Sequence, residues 1–238
     1  MERLDKILAN TGRWSRKEVK ELVRRGRVTV DGAAALSCEA KYPETAAFRV
    51  DGAAVSGARY VCLMLNKPAG VVSATDDPRE KTVLSLLPER LQKIGLFPAG
   101  RLDKDTVGLL LLTNDGALAH DLLSPRRHVD KTYLVRVEGR FDEADRRAFR
   151  EGMTLADGYV CLPAGLEPGA APDEALVTLR EGKYHQIKRM CAARGKPVRS
   201  LKRLTFGPLA LDESLKAGEW RELTAGELRA LYTGTGPK

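Results

Sequence analysis

A run of four consecutive leucines with aspartates at both edges limits the possible folds of this chain more than any other feature. Leu109–Leu112 is preceded by Asp103 and Asp105 and followed by Asp115. A short apolar run between turn residues is typical of a fully buried strand, so residues 109–113 are predicted to form one. Aspartate next to glycine is commonly a turn residue, which is the simplest interpretation of these carboxylates.

The pattern from residue 60 onward predicts short strands and helices separated by Gly and Pro. The predicted strands are residues 61–65, a strand that begins at 71, 109–113, 131–137 and 176–179. The predicted helices are 82–87, a stretch that begins at 115, 185–194, and a terminal helix that starts at a capping box at 224–227, whereas 163–174 is predicted to be a loop. Strands outnumber helices without a regular βαβ order, so an α+β domain with a mainly antiparallel or mixed sheet flanked by helices is expected.

Composition narrows the class of protein. The 238 residues are 43% hydrophobic and 30% charged, which is globular and leaves room for one large or two small domains. No stretch reaches the ~18 to 20 apolar residues of a membrane span, and residues 1–19 lack the apolar core of a signal peptide. The four cysteines form no C-x-x-C pair, so neither a zinc site nor a disulfide framework is expected. These features predict a cytoplasmic protein without a membrane partner.

Positive charge is concentrated at the N-terminus. Residues 1–27 hold nine bases against four acids, and so account for five of the eight net positive charges. Two short amphipathic helices are predicted there, the second starting at a capping box formed by Ser15 and Glu18. A strand at 28–30 and a turn at Asp31-Gly32 follow. A solvated helix face is the plain interpretation of such bases, but their recurrence in one small unit also suits an RNA phosphate backbone.

The order of residues in this N-terminal segment resembles the S4 RNA-binding domain. The matching pattern is R-L-D-K-x-L-A followed by S-R-K-E-x-x-x-L-V-x-x-G-x-V-x-V-D-G. The resemblance implies a domain over residues 1–56 that contacts RNA phosphates, which position a protein without selecting a base. A small, turn-rich stretch at 51–58 marks the predicted boundary with a second domain over 59–238. The candidate RNA-binding residues are Arg3, Lys6, Arg16, Lys17, Lys20, Arg24 and Arg25.

The aspartates before the leucine run could belong to a phosphatase site or to a glycosidase site. Asp-Lys-Asp-Thr at 103–106 matches the D-x-D-x-T phosphatase motif superficially, but that motif needs its hydrophobic strand before the first aspartate, and here the leucines follow. A glycosidase would need a second carboxyl group at a set distance across the sugar, and no partner stands out.

Four ordered segments resemble the RsuA family of bacterial rRNA pseudouridine synthases. They are the segments at 65–73, 100–116, 131–135 and 181–190. The resemblance implies that Asp103 is the catalytic carboxylate, that Tyr133 is an active-site tyrosine, and that Ile187 packs beside the base. It also implies that Lys188 faces the catalytic carboxylate. Some relatives carry arginine at this position. Lysine is a point charge rather than a planar fork, so a bidentate contact with Asp103 is not expected from Lys188.

Other residues of these segments have less certain roles. Arg101, Asn66 and Lys67 are expected to contact the substrate or shape its cleft, although Arg101 fits a structural salt bridge equally well. Asp105 is expected to fix the turn rather than to act as a second catalyst. The three histidines are His120, His128 and His185. Their spacing is not that of metal ligands, and each is expected to lie at the surface or to contact RNA.

The family resemblance implies isomerisation of a uridine in ribosomal RNA to pseudouridine on a flipped-out base. Segments 124–133 and 181–186 are most similar to family members that modify 16S rRNA, so 16S rRNA or an assembling small subunit is the expected partner, with uridine 516 as the target. A 23S rRNA pseudouridine synthase and a non-catalytic RNA-binding or ribosome-assembly protein are the alternatives. Because the reaction needs no redox step or external group, no cofactor or metal is expected. A monomer is expected.

Overall fold

The structure, a computed structural model, describes residues 1–11, 13–43, 46–55, 60–124 and 129–234. The chain forms two compact units. One comprises Met1–Val61, Leu87–Phe97 and Thr113–Asp115, and the other Cys62–Leu86, Pro98–Leu112 and Gly116–Lys238.

Residues 2–55 form two helices and six short strands. In chain order these are β1 Glu2–Arg3, α1 Leu4–Ala9, α2 Arg16–Arg24, β2 Val28–Val30, β3 Ala33–Ala34, β4 Lys41–Tyr42, β5 Phe48–Val50 and β6 Ala53–Val55. Strands β3, β2, β5 and β6 form an antiparallel sheet in that order, and β1 pairs with β4. The turn-rich stretch at 51–58 is therefore not all linker, because β6 belongs to this sheet. Residues 56–59 lie outside the described part, so the domain boundary stays a prediction.

Local signals determine these N-terminal elements. The predicted capping box starts α2: the Glu18 amide donates to Ser15 Oγ at 3.2 Å, and the Ser15 amide donates to Glu18 Oε2 at 2.6 Å. Asp31 and Gly32 have φ angles of 50° and 84°, which a two-residue type I′ hairpin turn requires. The predicted apolar stripes of both helices form one buried cluster with β2 and β5, in which Leu4, Ile7, Leu8 and Val19 are fully buried.

The rest of the chain forms nine strands, five α-helices and a 3₁₀ helix at Val83–Leu86 in its described part. In chain order the other elements are β7 Cys62–Lys67, α3 Glu89–Gln92, β8 Phe97–Pro98, β9 Val107–Thr113, α4 Gly116–Leu123, β10 Lys131–Val137, α5 Glu143–Glu151, β11 Gly165–Pro168, β12 Glu174–Leu179, α6 Gln186–Ala193, β13 Val198–Phe206, β14 Leu209–Ala210, β15 Trp220–Glu222 and α7 Ala225–Gly234.

All nine of these strands belong to one mixed sheet. Its main path runs β11, β12, β10, β13, β9, β7 and β15, while β14 pairs with β13 and β8 pairs with β9. The β13–β9 pair is parallel, whereas β10 runs antiparallel to both β12 and β13. The expected α+β class with a mainly antiparallel or mixed sheet is therefore confirmed.

The leucine run forms the predicted buried strand. Residues 109–112 of β9 are at most 2% exposed. Where β9 lies beside β13, Gly108 has a φ of 100°, and a Cβ atom there would stand 2.3 Å from the Arg203 carbonyl oxygen. The close approach of the two backbones therefore requires glycine at this position.

Several local predictions are confirmed and others are wrong. The strand at 131–137 and the terminal helix, with its Thr224–Glu227 capping box, are as predicted. The predicted loop at 163–174 instead contains β11, and the strand expected from residue 71 is only an isolated bridge between Val72 and Thr82. Among the described residues, no helix is both long enough and apolar enough to cross a membrane.

Candidate active site

Asp103 lies in the aspartate loop, residues 101–106, which connects β8 to β9. Its side chain is 27% exposed and lines a cavity of about 80 Å³, named here the Asp103 cavity. Arg101 from the same loop, Tyr133 from β10 and Ile187 from α6 line it as well. Residues predicted from three distant segments are thus brought together. Tyr133 and Ile187 are 9% and 3% exposed, so both belong to the buried core that forms part of the cavity wall.

Lys188 lies between the two carboxylates of the aspartate loop. Its Nζ is 3.1 Å from Asp103 Oδ2 and 2.6 Å from Asp105 Oδ1. Burial alone would lower the pKa of Lys188, but the hydrogen bonds to Asp105 and Asp103 outweigh it, and the pKa is raised. The hydrogen bond from Lys188 lowers the pKa of Asp105. Lys188, which the family resemblance implied to face Asp103, is therefore shared with the largely exposed carboxylate of Asp105.

His185 is a site residue that the sequence analysis treated as a surface or RNA contact. Its Nε2 lies 3.6 Å from Asp103 Oδ1, and its ring stacks on Tyr184 with centroids 3.8 Å apart. The backbone of His185 is left-handed, with a φ of 49°, just before α6 begins. Non-glycine residues rarely adopt this conformation and cluster at functional sites when they do. Its position three residues before Lys188 was the available sequence signal.

Lys67 holds the aspartate loop in position through hydrogen bonds to its backbone carbonyl groups. Its side chain is fully buried, and its Nζ lies 3.0 to 3.3 Å from the carbonyl oxygens of Pro68, Asp103, Lys104 and Thr106. Burial lowers the pKa of Lys67 to about 8, although the two loop carboxylates oppose this shift. Lys67 therefore positions the backbone of the loop and does not line the Asp103 cavity.

Other residues of the segment at 65–73 fix the same loop. Ser73 Oγ donates to the Leu102 carbonyl at 2.9 Å and accepts from the Leu102 amide at 3.0 Å. The Gly70 amide donates to the Lys104 carbonyl at 2.8 Å. Asn66 donates through Nδ2 to the carbonyl of Leu215 at 2.8 Å, and its expected role in contacting the substrate or shaping the cleft stays a prediction. The segment at 65–73 thus holds the aspartate loop in position through hydrogen bonds and does not line the Asp103 cavity.

Thr106 contributes an unused polar group to the Asp103 cavity. The residue is 2% exposed and lines the cavity. Its Oγ1 atom has no hydrogen-bond partner within the described part of the chain. A buried hydroxyl without a partner costs free energy, so a ligand group that bonds to it would recover that cost.

The predicted RNA-binding residues differ in how much of their charge is already neutralised. Arg3 and Lys6 pair with acids near the N-terminus, and Arg24 and Arg25 share Glu21. Of the predicted RNA-binding residues, Arg16, Lys17 and Lys20 on α2 are exposed and form no ion pair with a described residue, and the same holds for Arg101 beside the Asp103 cavity. The expected alternative of a structural salt bridge for Arg101 is thus not seen there. His128 lies outside the described residues.

The chemistry available in the Asp103 cavity is that of one carboxylate with a cation, an imidazole and a tyrosine around it. In the described ranges, no group of three or more His, Cys, Asp or Glu side chains is arranged to hold a metal ion. A carboxylate in this setting can act as a nucleophile or as a base toward a small planar group that enters the cavity.

The fold and the residues around Asp103 define the class of protein. A family model described as RNA pseudouridylate synthase matches residues 61–193, and an S4 domain model matches residues 2–36. The chain belongs to the RNA pseudouridylate synthase family, whose members are isomerases, and carries an N-terminal S4 domain. The family and the two kinds of domain predicted from the sequence are thereby confirmed.

Individual relatives match over nearly the whole chain. An uncharacterised RNA pseudouridine synthase of Bacillus subtilis (strain 168) is 46% identical over 233 residues, which cover 96% of this chain and 98% of the relative. The ribosomal small subunit pseudouridine synthase A of Escherichia coli (strain K12) is 41% identical, with coverage of 96% and 99%. A crystal structure of a pseudouridylate synthase is similar with a TM-score of 0.69 and 35% identity, covering 97% of this chain and 100% of that one.

Proposed function

We propose that this protein converts a uridine of ribosomal RNA to pseudouridine, that the substrate is 16S rRNA or an assembling small subunit, and that uridine 516 is the target. The similarity to the E. coli small-subunit enzyme over 96% of the chain supports the RNA class. The observation that carries the chemistry is the Asp103 carboxylate, which lines a cavity with Tyr133 while Lys188 Nζ lies 3.1 Å away.

The reaction needs few groups from the protein. The N1–C1′ bond of uridine breaks, the uracil turns, and a C5–C1′ bond forms, while a proton leaves C5 and N1 gains one. Nothing is oxidised and no outside group is transferred. Asp103 supplies the one ionised carboxylate, either by attack on C1′ or on the base, or by taking part in the proton abstraction. The ammonium of Lys188 places a positive charge 3.1 Å from Asp103 Oδ2.

The walls of the cavity support the base once it has left the RNA stack. Flipping a nucleotide costs a few kcal/mol, and stacking of a base on an aromatic ring returns ~1–3 kcal/mol. Tyr133 offers such a ring, and Ile187 offers an apolar surface beside it. Buried strand β9 follows the loop directly, so the loop that carries the carboxylate is anchored to a rigid element, which favours a fixed position for the catalytic group.

Release of tritium from 5-³H-uridine tests this function. Wild type is expected to release tritium from 16S rRNA transcripts or from assembling small subunits, and pseudouridine mapping should locate the product at position 516. The Asp103→Asn variant is expected to release none above background. Asp105→Asn is the matched control, since it removes a carboxylate bound to the same lysine but leaves the Asp103–Lys188 pair, and its rate should fall less than tenfold.

Each failure has a distinct meaning. Release from 23S rRNA alone would overturn the proposed substrate but keep the reaction. RNA binding without release from any rRNA form would leave a non-catalytic binding protein. An Asp103→Asn variant as active as wild type would remove Asp103 from its proposed role.

A further inference from the structure

A second cavity adjoins the Asp103 cavity. It encloses about 590 Å³ and shares Arg101, Tyr133 and Lys183 with the smaller cavity, which encloses about 80 Å³. Ligand sites in proteins commonly have volumes of ~300–1,000 Å³, so the larger cavity has room for a nucleotide-sized group in addition to a flipped-out base in the smaller one. It is named here the Lys131 cavity.

Five basic residues and one acid, Glu181, line the Lys131 cavity. Two of the cations lie beside an aromatic ring. Lys131 Nζ and the Arg203 guanidinium carbon lie 5.5 Å and 5.1 Å from the centroid of the Phe206 ring. Arg203 is 2% exposed. Its Nε donates to the Leu109 carbonyl at 2.6 Å, whereas its Nη2 has no partner within the described residues.

Lys131 forms no ion pair with a residue in the described part of the chain. Its Nζ donates to the carbonyl of Val129 at 2.8 Å. Burial and the nearby Arg203 lower the pKa of Lys131 to about 8, while Asp130 opposes the shift, and Asp130 itself pairs with Arg180. An anion that entered the cavity would offset the repulsion between the two cations.

Apolar side chains form the outer wall of the same cavity. Leu123 and Leu162 both line it, although 44% and 43% of each residue is exposed. Lys183 Nζ lies 5.1 Å from the centroid of the Tyr159 ring on the same wall. A surface that combines partly exposed apolar groups with a buried and a half-buried cation is complementary to a ligand with a flat base and an anionic phosphate.

We propose that the Lys131 cavity binds the nucleotide next to the target uridine, with its phosphodiester toward Lys131 and Arg203 and its base against Leu123 and Leu162. This inference rests on the proposed function, because the target uridine occupies the adjoining Asp103 cavity. Contacts to this neighbour determine which uridine of the RNA is accepted, since the base in the smaller cavity is uridine in every candidate site.

Three variants test the subsite with single-turnover tritium release from 16S rRNA transcripts. Leu162→Glu places a negative charge on the exposed wall, and Lys131→Gln removes a cation. Val160→Glu is the matched control, since Val160 is 67% exposed on the same segment and does not line the cavity. The first two variants are expected to raise the half-saturating RNA concentration about tenfold, and the control to stay within twofold. Lys131→Gln should also lower the salt dependence of RNA binding by about one phosphate contact.

A chemically altered RNA tests the contact directly. Transcripts ligated to contain an abasic residue on either side of the target uridine are compared with intact RNA. Loss of one neighbouring base is expected to weaken binding to wild type about fivefold and to leave Leu162→Glu unchanged. Equal loss in both proteins, or no loss with either transcript, would overturn the subsite.

Failure of the subsite and failure of the proposed function are distinguishable. The same comparisons are made by fluorescence anisotropy in an Asp103→Asn background, where no reaction is needed. Differences between variants without any turnover by wild type would overturn the proposed function alone. Equal affinity of all proteins for RNA would overturn the subsite.

Discussion

The role of Lys67 predicts an unusual separation of stability from activity in the variant Lys67→Met. Methionine keeps the unbranched apolar stem and removes the ammonium group. Its three protons serve four carbonyl oxygens, three of them in the aspartate loop. Hydrogen bonds from a charged donor are worth ~1.5–3 kcal/mol each, so the loss of three costs ~4.5 kcal/mol at the lower value.

The removed charge was itself costly to bury. Burial lowers the pKa of Lys67 from 10.5 to about 8, and at ~1.4 kcal/mol per pH unit this corresponds to ~3 kcal/mol against the charged form. The two contributions nearly cancel. The free energy of unfolding of Lys67→Met at pH 7 is therefore expected to lie within about 2 kcal/mol of wild type.

Activity should respond far more strongly than stability. The loop would lose three of its backbone anchors, and a displacement of ~1 Å at a reacting group costs ~10²-fold in rate. We expect tritium release to fall about 100-fold, with faster hydrogen exchange at the amides of residues 103–106. Lys104→Met is the matched control, because it removes a lysine of the same loop whose ion pair with Glu80 is exposed, and it should change the rate less than threefold.

Two results would refute this reasoning. A loss of more than about 5 kcal/mol of stability would mean that Lys67 holds the fold rather than the loop. Faster exchange of the loop amides at an unchanged rate of tritium release would mean that the position of the loop does not limit the reaction.

Three further predictions concern the same region. Between pH 8 and 10.5 the unfolded chain keeps the Lys67 proton that the folded chain has lost. The unfolding free energy of wild type relative to Lys67→Met should therefore rise with pH, by up to ~3 kcal/mol. Denaturant titrations at several pH values measure this difference, and a difference that falls with pH would contradict the lowered pKa. Thr106→Val removes a hydroxyl that has no partner within the described residues, so it should preserve the melting temperature but slow tritium release about tenfold, and an unchanged rate would mean that the hydroxyl does not touch the substrate. Gly108→Ala should lower the free energy of unfolding by ~3 kcal/mol or more, because its Cβ would stand 2.3 Å from the Arg203 carbonyl oxygen. Gly116→Ala is the control, since the added Cβ there meets open space. Equal melting temperatures of the two variants would refute the close approach of β9 and β13.

The elements that the sequence predicted well are those whose stability depends on their own residues. The alternating pattern of 131–137 gave both ends of β10, and the Ser15–Glu18 capping box gave the start of α2. In each case neighbouring residues supply the hydrogen bonds or the apolar face, so the pattern is visible without the rest of the chain.

The elements that the sequence missed depend on distant partners. Residues 165–168 lie in a stretch rich in glycine and proline, yet they form β11 because β12 supplies a paired edge from Thr178 to Ala175. Asp51 and Gly52 lie in the turn-rich stretch at which the domain boundary was predicted, but their turn closes the hairpin between β5 and β6. A turn signal alone does not say whether the chain returns to the sheet or leaves it.

The candidate site shows the same division. The family motifs identified Asp103 and Lys188, and the structure places their charged atoms 3.1 Å apart. The pairing of Lys188 with Asp105, the three loop carbonyls bound by Lys67 and the interaction of Asn66 with Leu215 were not predictable, because each joins segments separated by more than 30 residues. The roles of these residues in catalysis remain predictions that the variants above test.

His185 is the residue for which a structural and a functional role can be separated most directly. Its left-handed backbone, with a φ of 49°, costs free energy in any residue but glycine, on the order of 1 kcal/mol or more. His185→Gly should therefore match or exceed wild type in melting temperature, while the loss of the ring beside Asp103 should slow tritium release at least tenfold. A lower melting temperature with an unchanged rate would show that the histidine serves α6 and its stack with Tyr184. Because the two roles predict opposite signs for stability and different rates, a single variant decides between them.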